Sequence, residues 1–408
     1  MKRYDSITAI KAISCLMVFL SHWSGAFSSW GHVFLDRLFI QSPFRIMTFG
    51  NMAVCIFLML SGTLAAMKIY RGGTVSWGTE MIKRYLRMAV PVFGTHLLVY
   101  FLFHLNLFRT GEAAFLMGND WLGCYYRVAP SLWNVVKNSF ITSVFSGDSS
   151  LYGPLWMMNY IFFGTVFSIL LAEALSQMSR RAKIVVQLLL LGAFLVLDSY
   201  YVCFLMGNIV AQLLLWLEKL CGDSACRSSD GKQSKIAISL ASVVLFFGGW
   251  KLALKSFALT AFLQGLGVTG ALGNASFWGM IGGFLLSCGF ISFWELWEPF
   301  VADESQKMGK RVVRLLVRPF LWVGERSYSV FLVHWLVICT FSCGFYCRFV
   351  ERPNWFYLGV NFFLTTAVLL ICTEIFYILI EKAAFTWAWN RIKVWMMSGR
   401  DSHENTGK

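Results

Sequence analysis

Charge is what this sequence has least of. Only 14% of its 408 residues are Asp, Glu, Lys or Arg, against about a quarter in an ordinary soluble domain. Apolar residues make up 57%, and mean hydropathy is +0.62. One core cannot hide that much apolar surface, so a water-soluble globule is excluded and the excess must face lipid. Carboxylates are the scarcer sign: 21 Asp and Glu stand against 35 Lys and Arg, a net charge of +14. No internal repeat, low-complexity tract or long linker marks a second domain. The expected plan is one membrane-embedded domain over residues 1–385 and a short polar tail over 386–408.

What the chain does have is a series of long apolar runs. A helix needs about 20 mostly apolar residues to cross a bilayer. Only helices or closed barrels satisfy their backbone in lipid, and unbroken runs without period-2 alternation are helical. Ten spans are expected: Ile7–Phe27, Ile46–Met67, Met88–Phe108, Leu151–Ala172, Ile184–Asp198, Tyr201–Leu217, Ile236–Leu254, Phe277–Leu296, Phe320–Gly344 and Tyr357–Ile380. The fifth and sixth nearly fuse through Asp198–Tyr201, as a tight hairpin would. The fold class is therefore all-α, a polytopic membrane protein. The first segment starts with Lys2 and Arg3, yet it is too long, and too polar at Lys11 and His22, for a signal peptide.

Basic residues orient these spans. With the N-terminus in the cytoplasm, 24 Lys and Arg fall on the cytoplasmic side and nine on the other, and the bias repeats loop after loop. That is the positive-inside pattern, and it expects an even number of spans with both termini cytoplasmic. The net charge then reflects topology and membrane lipids with anionic headgroups. With no soluble basic domain to hold it, nucleic acid is not an expected partner. The eleven cysteines do not make a disulfide framework: seven lie in spans, where Cys acts as a small hydrophobe, and Cys221 and Cys226 fall in a reducing cytoplasmic loop. Cys339, Cys343 and Cys347 share a helical face, but no His or carboxylate joins them at ligand spacing, so no metal is expected.

Against this background the polar residues inside spans stand out. Lys11 and His22 are eleven residues apart in the first span. That is about three turns, which puts both on one face about 16 Å apart along the axis. Ionisable groups at membrane depth are costly and usually line a polar cavity. A base or nucleophile above a cation suits a long anionic molecule. Phe57 to Gly62 ends the second span with Ser61-Gly62, small residues that also serve close helix packing. Lys83, Arg84 and Arg87 precede the third span, with Pro91 expected in its first turn. They serve topology and snorkelling, or a phosphate clamp, since Arg84 and Arg87 are i, i+3 neighbours. Gly153-Pro154-Leu155-Trp156 opens the fourth span. Gly324 to Ser329 opens the ninth, with His334 deeper. The outer stretch from Arg109 to Ser150 is rich in aromatics: Trp121, Tyr125, Tyr126 and Trp133. It reads as an interfacial belt or as a sugar-stacking lid, with a helix over Pro130–Phe145.

In this order the pieces resemble the acyltransferase-3 family of integral membrane acyltransferases. Members carry an Arg, ten residues and a His in the first span, which Lys11 and His22 match in spacing. A Phe-rich span ending in Ser-Gly, a basic stretch followed by Pro, a Pro-Leu-Trp element and a late Gly-x-x-Ser-Tyr with a downstream His follow. They match Phe57–Gly62, Lys83–Pro91, Pro154–Trp156 and Gly324–His334. Two positions depart from the pattern. Lys11 replaces the Arg, keeping the charge and losing the paired donor geometry. Ile161 stands where many members have Glu.

The resemblance implies a plasma-membrane O-acyltransferase, acetyl transfer being its simplest form. The donor would be cytoplasmic acyl-CoA, most simply acetyl-CoA, with no permanently bound cofactor. The acceptor would be a hydroxyl of a cell-envelope polysaccharide or lipid-linked sugar. It makes His22 the general base, with a covalent acyl-histidine as the alternative form. Lys11, Arg84 and Arg87 would hold the CoA phosphates, and Ser61, Trp156, Ser327, Tyr328 and His334 would line the substrate cavity. If the helix enters lipid near Ile7, His22 is about 22 Å along a span of about 30 Å, in the outer half. A non-enzymatic transporter or flippase of a glycan or lipid-linked sugar is the competing expectation. The chain lacks the internal repeat and the paired broken helices that would favour it.

Overall fold

The computed structural model describes residues 4–27, 37–38, 41–73, 76–197, 199–222, 229–301, 307–349 and 355–394. Lys2, Arg3, Asp198, Cys226, Arg227, Arg352 and the tail from 395 lie outside the described residues. The long helices in chain order are α1 (Asp5–Phe27), α2 (Gly50–Tyr70), α3 (Trp77–His104), α4 (Met158–Ser176), α5 (Arg180–Val196), α6 (Tyr201–Gly222), α7 (Ser229–Gly265), α8 (Ala275–Val301), α9 (Lys307–Glu325), α10 (Ser327–Val337) and α11 (Trp355–Phe376). No strand occurs among the described residues. Short π-helical turns extend α10 toward Phe349 and α11 beyond Tyr377.

Nine helices among the described residues are long and apolar enough to cross a membrane, and they coincide with nine of the ten expected spans. The tenth, expected over Ile184–Asp198, is α5, with 17 residues. At 1.5 Å per residue it measures about 26 Å, short of a hydrocarbon core of about 30 Å. Its N-terminus is set by Ser179, whose side chain accepts from the Ala182 N–H.

Packing divides the chain into two compact units. The first comprises Met1–Ser28, His32–Thr74 and Phe163–Ser327. Its axis is α2, 78% of whose most apolar stretch is buried, against 17% for α7, whose apolar side chains face outward as lipid-facing residues do. Helix α6 lies against α2 at very short range. A Cβ added at Gly207 would strike the Met59 carbonyl and come 2.8 Å from the Thr63 nitrogen. One chain of polar side chains crosses this apolar interior. Ser168 Oγ donates to the Gly62 carbonyl (3.0 Å), Asn208 Nδ2 donates to Ser168 Oγ (2.6 Å), and Tyr70 Oη donates to Asn208 Oδ1 (3.3 Å). Helix α1 packs along α9.

The second unit comprises Ser29–Gly31, Val75–Phe162 and Tyr328–Lys408. Here two boundary expectations are corrected. Helix α3 begins at Trp77, eleven residues before Met88, so Lys83, Arg84 and Arg87 are on the helix and Pro91 is inside it, not in its first turn. The polar start of α3 is amphipathic, and hydropathy alone reads such a stretch as loop. Pro91 has no N–H, so the Arg87 carbonyl loses its usual donor. The expected ninth span, Phe320–Gly344, is also two elements. Phe320–Glu325 belongs to α9, the chain turns at Arg326, and the spanning helix runs over Ser327–Phe349. The exposed apolar side of α9, with Leu315, Leu316 and Phe320, had merged with the next span in the sequence pattern. The helix expected over Pro130–Phe145 is present as Leu132–Ser146, with one π turn, and Ser131 caps it by accepting from the Asn134 N–H (3.1 Å).

Gly324 is the tightest point of the α1–α9 contact, since a Cβ there would overlap the Thr8 carbonyl. Gly324→Ala is expected to cost about 1–3 kcal/mol through overpacking. Gly359, around which a Cβ would meet nothing within 4 Å, is the control. Thermal unfolding in detergent should show a lowered Tm for Gly324→Ala and little change for Gly359→Ala.

Candidate functional site

In the first unit the candidates are Lys11, His22, Ser61 and Ser327. Lys11 and His22 lie on α1 and are half-buried. Cys15 and Val18 fall between them at helical spacing, on the same face, and are buried. Cys15 Sγ donates to the Ser327 carbonyl at 3.4 Å. The structure thus brings Ser327 to the middle of the Lys11–His22 face, and it is the backbone oxygen of Ser327 that meets α1. At the His22 end, α2 starts close by: a Cβ on Gly50 would come 2.7 Å from Ser21 Oγ. The Ser61 hydroxyl donates back to the Phe57 carbonyl of its own helix (2.8 Å). Its neighbour Gly62 approaches Phe204 of α6, where a Cβ would stand 3.1 Å from that Cα.

In the second unit the candidates are Arg84, Arg87, Trp156, Tyr328 and His334. Arg84 and Arg87 share one side of α3 but differ in circumstance. Arg84 is half-buried and its Nε lies 3.0 Å from Glu80 Oε1, an ion pair angled away from a hydrogen bond. Arg87 is exposed. Lys83, also exposed, sits over the Trp389 ring at 5.6 Å. Tyr328 Oη donates to the Met88 carbonyl at 3.1 Å, beside the carbonyl that Pro91 leaves without its donor. Trp156 lies in a 3₁₀ turn, Gly153–Met157, with Pro154 in its first turn, and meets Tyr160 edge-on.

His334 is buried in α10. Its Nδ1 lies 2.7 Å from the Phe331 carbonyl and 3.2 Å from that of Val330. Both are acceptors, so the proton belongs on Nδ1 and the lone pair on Nε2. Tyr152 braces this helix: its hydroxyl donates to the Phe331 carbonyl (3.1 Å) and accepts from the Trp335 N–H (3.4 Å). Trp335 in turn packs against Trp121 and Tyr125. Two of the four outer-loop aromatics are therefore part of this packing, while Tyr126 stacks on Phe108 and Trp133 is exposed.

Sequence reasoning passed over His96, although it lies within an expected span just as His22 does. It is fully buried, with Nδ1 2.8 Å from Ser139 Oγ. Ser139 donates its one proton to the Val135 carbonyl (2.6 Å), so it accepts from His96, which places the His96 proton on Nδ1. The bond ties α3 to the interfacial helix. Nearby, burial pushes the Asp148 carboxyl up, but hydrogen bonds from Ser150 and Thr142 outweigh it and hold the group below the usual carboxylate range. No group of three or more His, Cys, Asp and Glu placed to hold a metal occurs among the described residues.

An α-helical membrane protein with ionisable groups set inside its spans defines a class of intramembrane enzymes and transporters. A family model described as an acyltransferase domain, that of acyltransferase-3, matches residues 4–381, nearly the whole chain. The chain belongs to that family and is a membrane acyltransferase. Comparison with curated proteins gave no match, and comparison with solved structures gave none.

The Tyr152 brace predicts a specific loss. Tyr152→Phe removes the hydroxyl between Phe331 and Trp335 and should destabilise the fold by about 1–2 kcal/mol. Hydrogen exchange at the amides of residues 331–335 should accelerate in this variant, with the amides of α2 unchanged.

Proposed function

We propose that this membrane acyltransferase works in the plasma membrane as an O-acyltransferase, most simply an O-acetyltransferase. The donor is cytoplasmic acyl-CoA and the acceptor a hydroxyl of a cell-envelope polysaccharide or lipid-linked sugar. The observation that carries this is the placement of His22 three turns beyond Lys11 on one face of α1, in a chain of this family. An imidazole, whose free pKa lies near neutrality, suits removal of a hydroxyl proton. The acceptor oxygen attacks the thioester carbonyl as His22 takes its proton. The tetrahedral intermediate then collapses, and CoA leaves as the thiolate and is protonated.

Three cations serve the phosphates of CoA in this proposal. Arg87 is exposed and Lys11 half-buried, whereas Glu80 already neutralises much of the Arg84 charge. Arg87 therefore carries more of the phosphate contact than Arg84, which has to exchange one anion for another. His334 serves the substrate cavity in this proposal, its ring oriented by the Nδ1 contact to the Phe331 carbonyl. Tyr328 acts less directly, because its hydroxyl is engaged by Met88. Ser61 and Ser327 of the first unit, and Trp156 of the second, are the remaining residues proposed to serve the substrate.

Reconstituted protein given radiolabelled acetyl-CoA on one side and surface glycan on the other tests the reading. His22→Ala should lose about 10²–10⁴-fold in transfer, the usual contribution of a general base. Full activity in that variant overturns the assignment. Arg87→Ala and Lys11→Ala should raise KM for acetyl-CoA about tenfold, a loss of about 1.4 kcal/mol. Lys11→Arg, which restores the fork geometry, should not raise it.

A further inference from the structure

A cavity lies in the second unit, within the outer stretch between α3 and α4. It measures about 640 Å³ and is lined by residues of the 108–127 segment, a volume within the range of about 300–1,000 Å³ typical of ligand sites. None of the residues proposed to act on the acyl donor lines it; Tyr125 and Tyr126, read from sequence as belt or lid aromatics, do.

Its lining mixes charged and aromatic side chains. Four charged side chains line it, Arg109, Arg127, Glu112 and Asp120, two of each sign. The charges cancel, and Arg109 Nη1 is already paired with Glu112 Oε2 at 3.3 Å. A lipid phosphate or a polyanion would find no net attraction here. A neutral ligand would find donors and acceptors interleaved. The same walls hold aromatic rings. Phe115 is 87% exposed, and Tyr125 is braced from behind by Trp335 and Trp121. Tyr126 is stacked on Phe108 with centroids 3.8 Å apart, and its backbone sits at φ +57°. Left-handed backbone is rare for a bulky residue and persists only where its surroundings enforce it, commonly at ligand clamps.

Apolar ring faces beside a balanced set of planar hydrogen-bonding groups match the two surfaces of a pyranose: its C–H face and its equatorial hydroxyls. We propose that this cavity binds an uncharged stretch of oligosaccharide, which would serve as the docking site for the acceptor glycan. The acceptor role rests on the reading of the protein as a glycan O-acyltransferase; the binding itself does not. The segment falls on the outer side by the distribution of basic residues, where a surface glycan would be met.

The test uses the full chain in nanodiscs and a panel of neutral tetrasaccharides: maltotetraose, cellotetraose and chitotetraose. Saturation-transfer NMR should show binding of at least one, competed by none of the inorganic phosphate added as a control. Phe115→Ala and Arg127→Ala should each weaken that binding at least tenfold. Phe115→Trp should preserve it, which separates ring stacking from a folding defect. Unchanged binding in both loss variants, or no binding by any member of the panel, overturns the proposal. Acetyl-CoA turnover is measured on the same preparations. Turnover without tetrasaccharide binding overturns this inference and leaves the acyltransferase reading standing; binding without turnover supports the cavity and counts against that reading.

Discussion

Hydrocarbon offers a polar group no partner, and the two units are organised around that constraint. Every long apolar run becomes a helix because the helix alone satisfies its own backbone. Many of the side chains that remain polar inside find one another or a carbonyl. Ser168, Asn208 and Tyr70 do so in the first unit, and Ser6 donates to Glu295 at 2.5 Å there. In the second unit Ser329 is bonded to Glu381, and Ser342 to Asn361. Small residues at contacts follow from the same logic. Lipid is as apolar as leucine, so helices associate through close packing, and Gly207 and Gly324 mark where backbones meet.

What a hydropathy pattern can register was legible. Nine spans coincide with expectation because twenty apolar residues in a row have few alternatives in a membrane. The failures lie where polarity and helicity part company. The start of α3 carries Glu80, Lys83, Arg84 and Arg87, so it reads as a loop although it is a helix. The end of α9 is apolar enough to read as the start of a span although it ends at Glu325. Helix α5, with 17 residues, sits at the lower limit of what crosses a bilayer. The division into two units leaves no mark on composition, since it depends on which helices touch.

The candidate site was legible to a different degree. Residue types and spacing singled out Lys11, His22 and His334, because an ionisable group in an apolar run is conspicuous. The partners were not legible. Nothing in the order of residues announces that Glu80 claims Arg84, that Tyr152 braces the helix of His334, or that Cys15 reaches the Ser327 carbonyl. Contacts across tens or hundreds of positions are products of packing. His96 was legible and missed, since it met the same criterion as His22.

These partners change how the late Gly-x-x-Ser-Tyr element should be understood. From sequence it reads as a row of polar groups facing a cavity. In the fold each member has a structural task. Gly324 admits the α1 backbone at Thr8, and Ser327 offers its carbonyl to Cys15 on the face that carries Lys11 and His22. Tyr328 donates to Met88, next to the carbonyl that Pro91 deprives of a donor. A residue engaged in this way acts on chemistry by fixing where the reactive groups stand. Substituting Ser327 by Ala retains the carbonyl and should therefore disturb α1 less than substituting Gly324 does. If the element supplied hydroxyls for chemistry, Ser327→Ala would instead lower turnover more than a Gly324 substitution does.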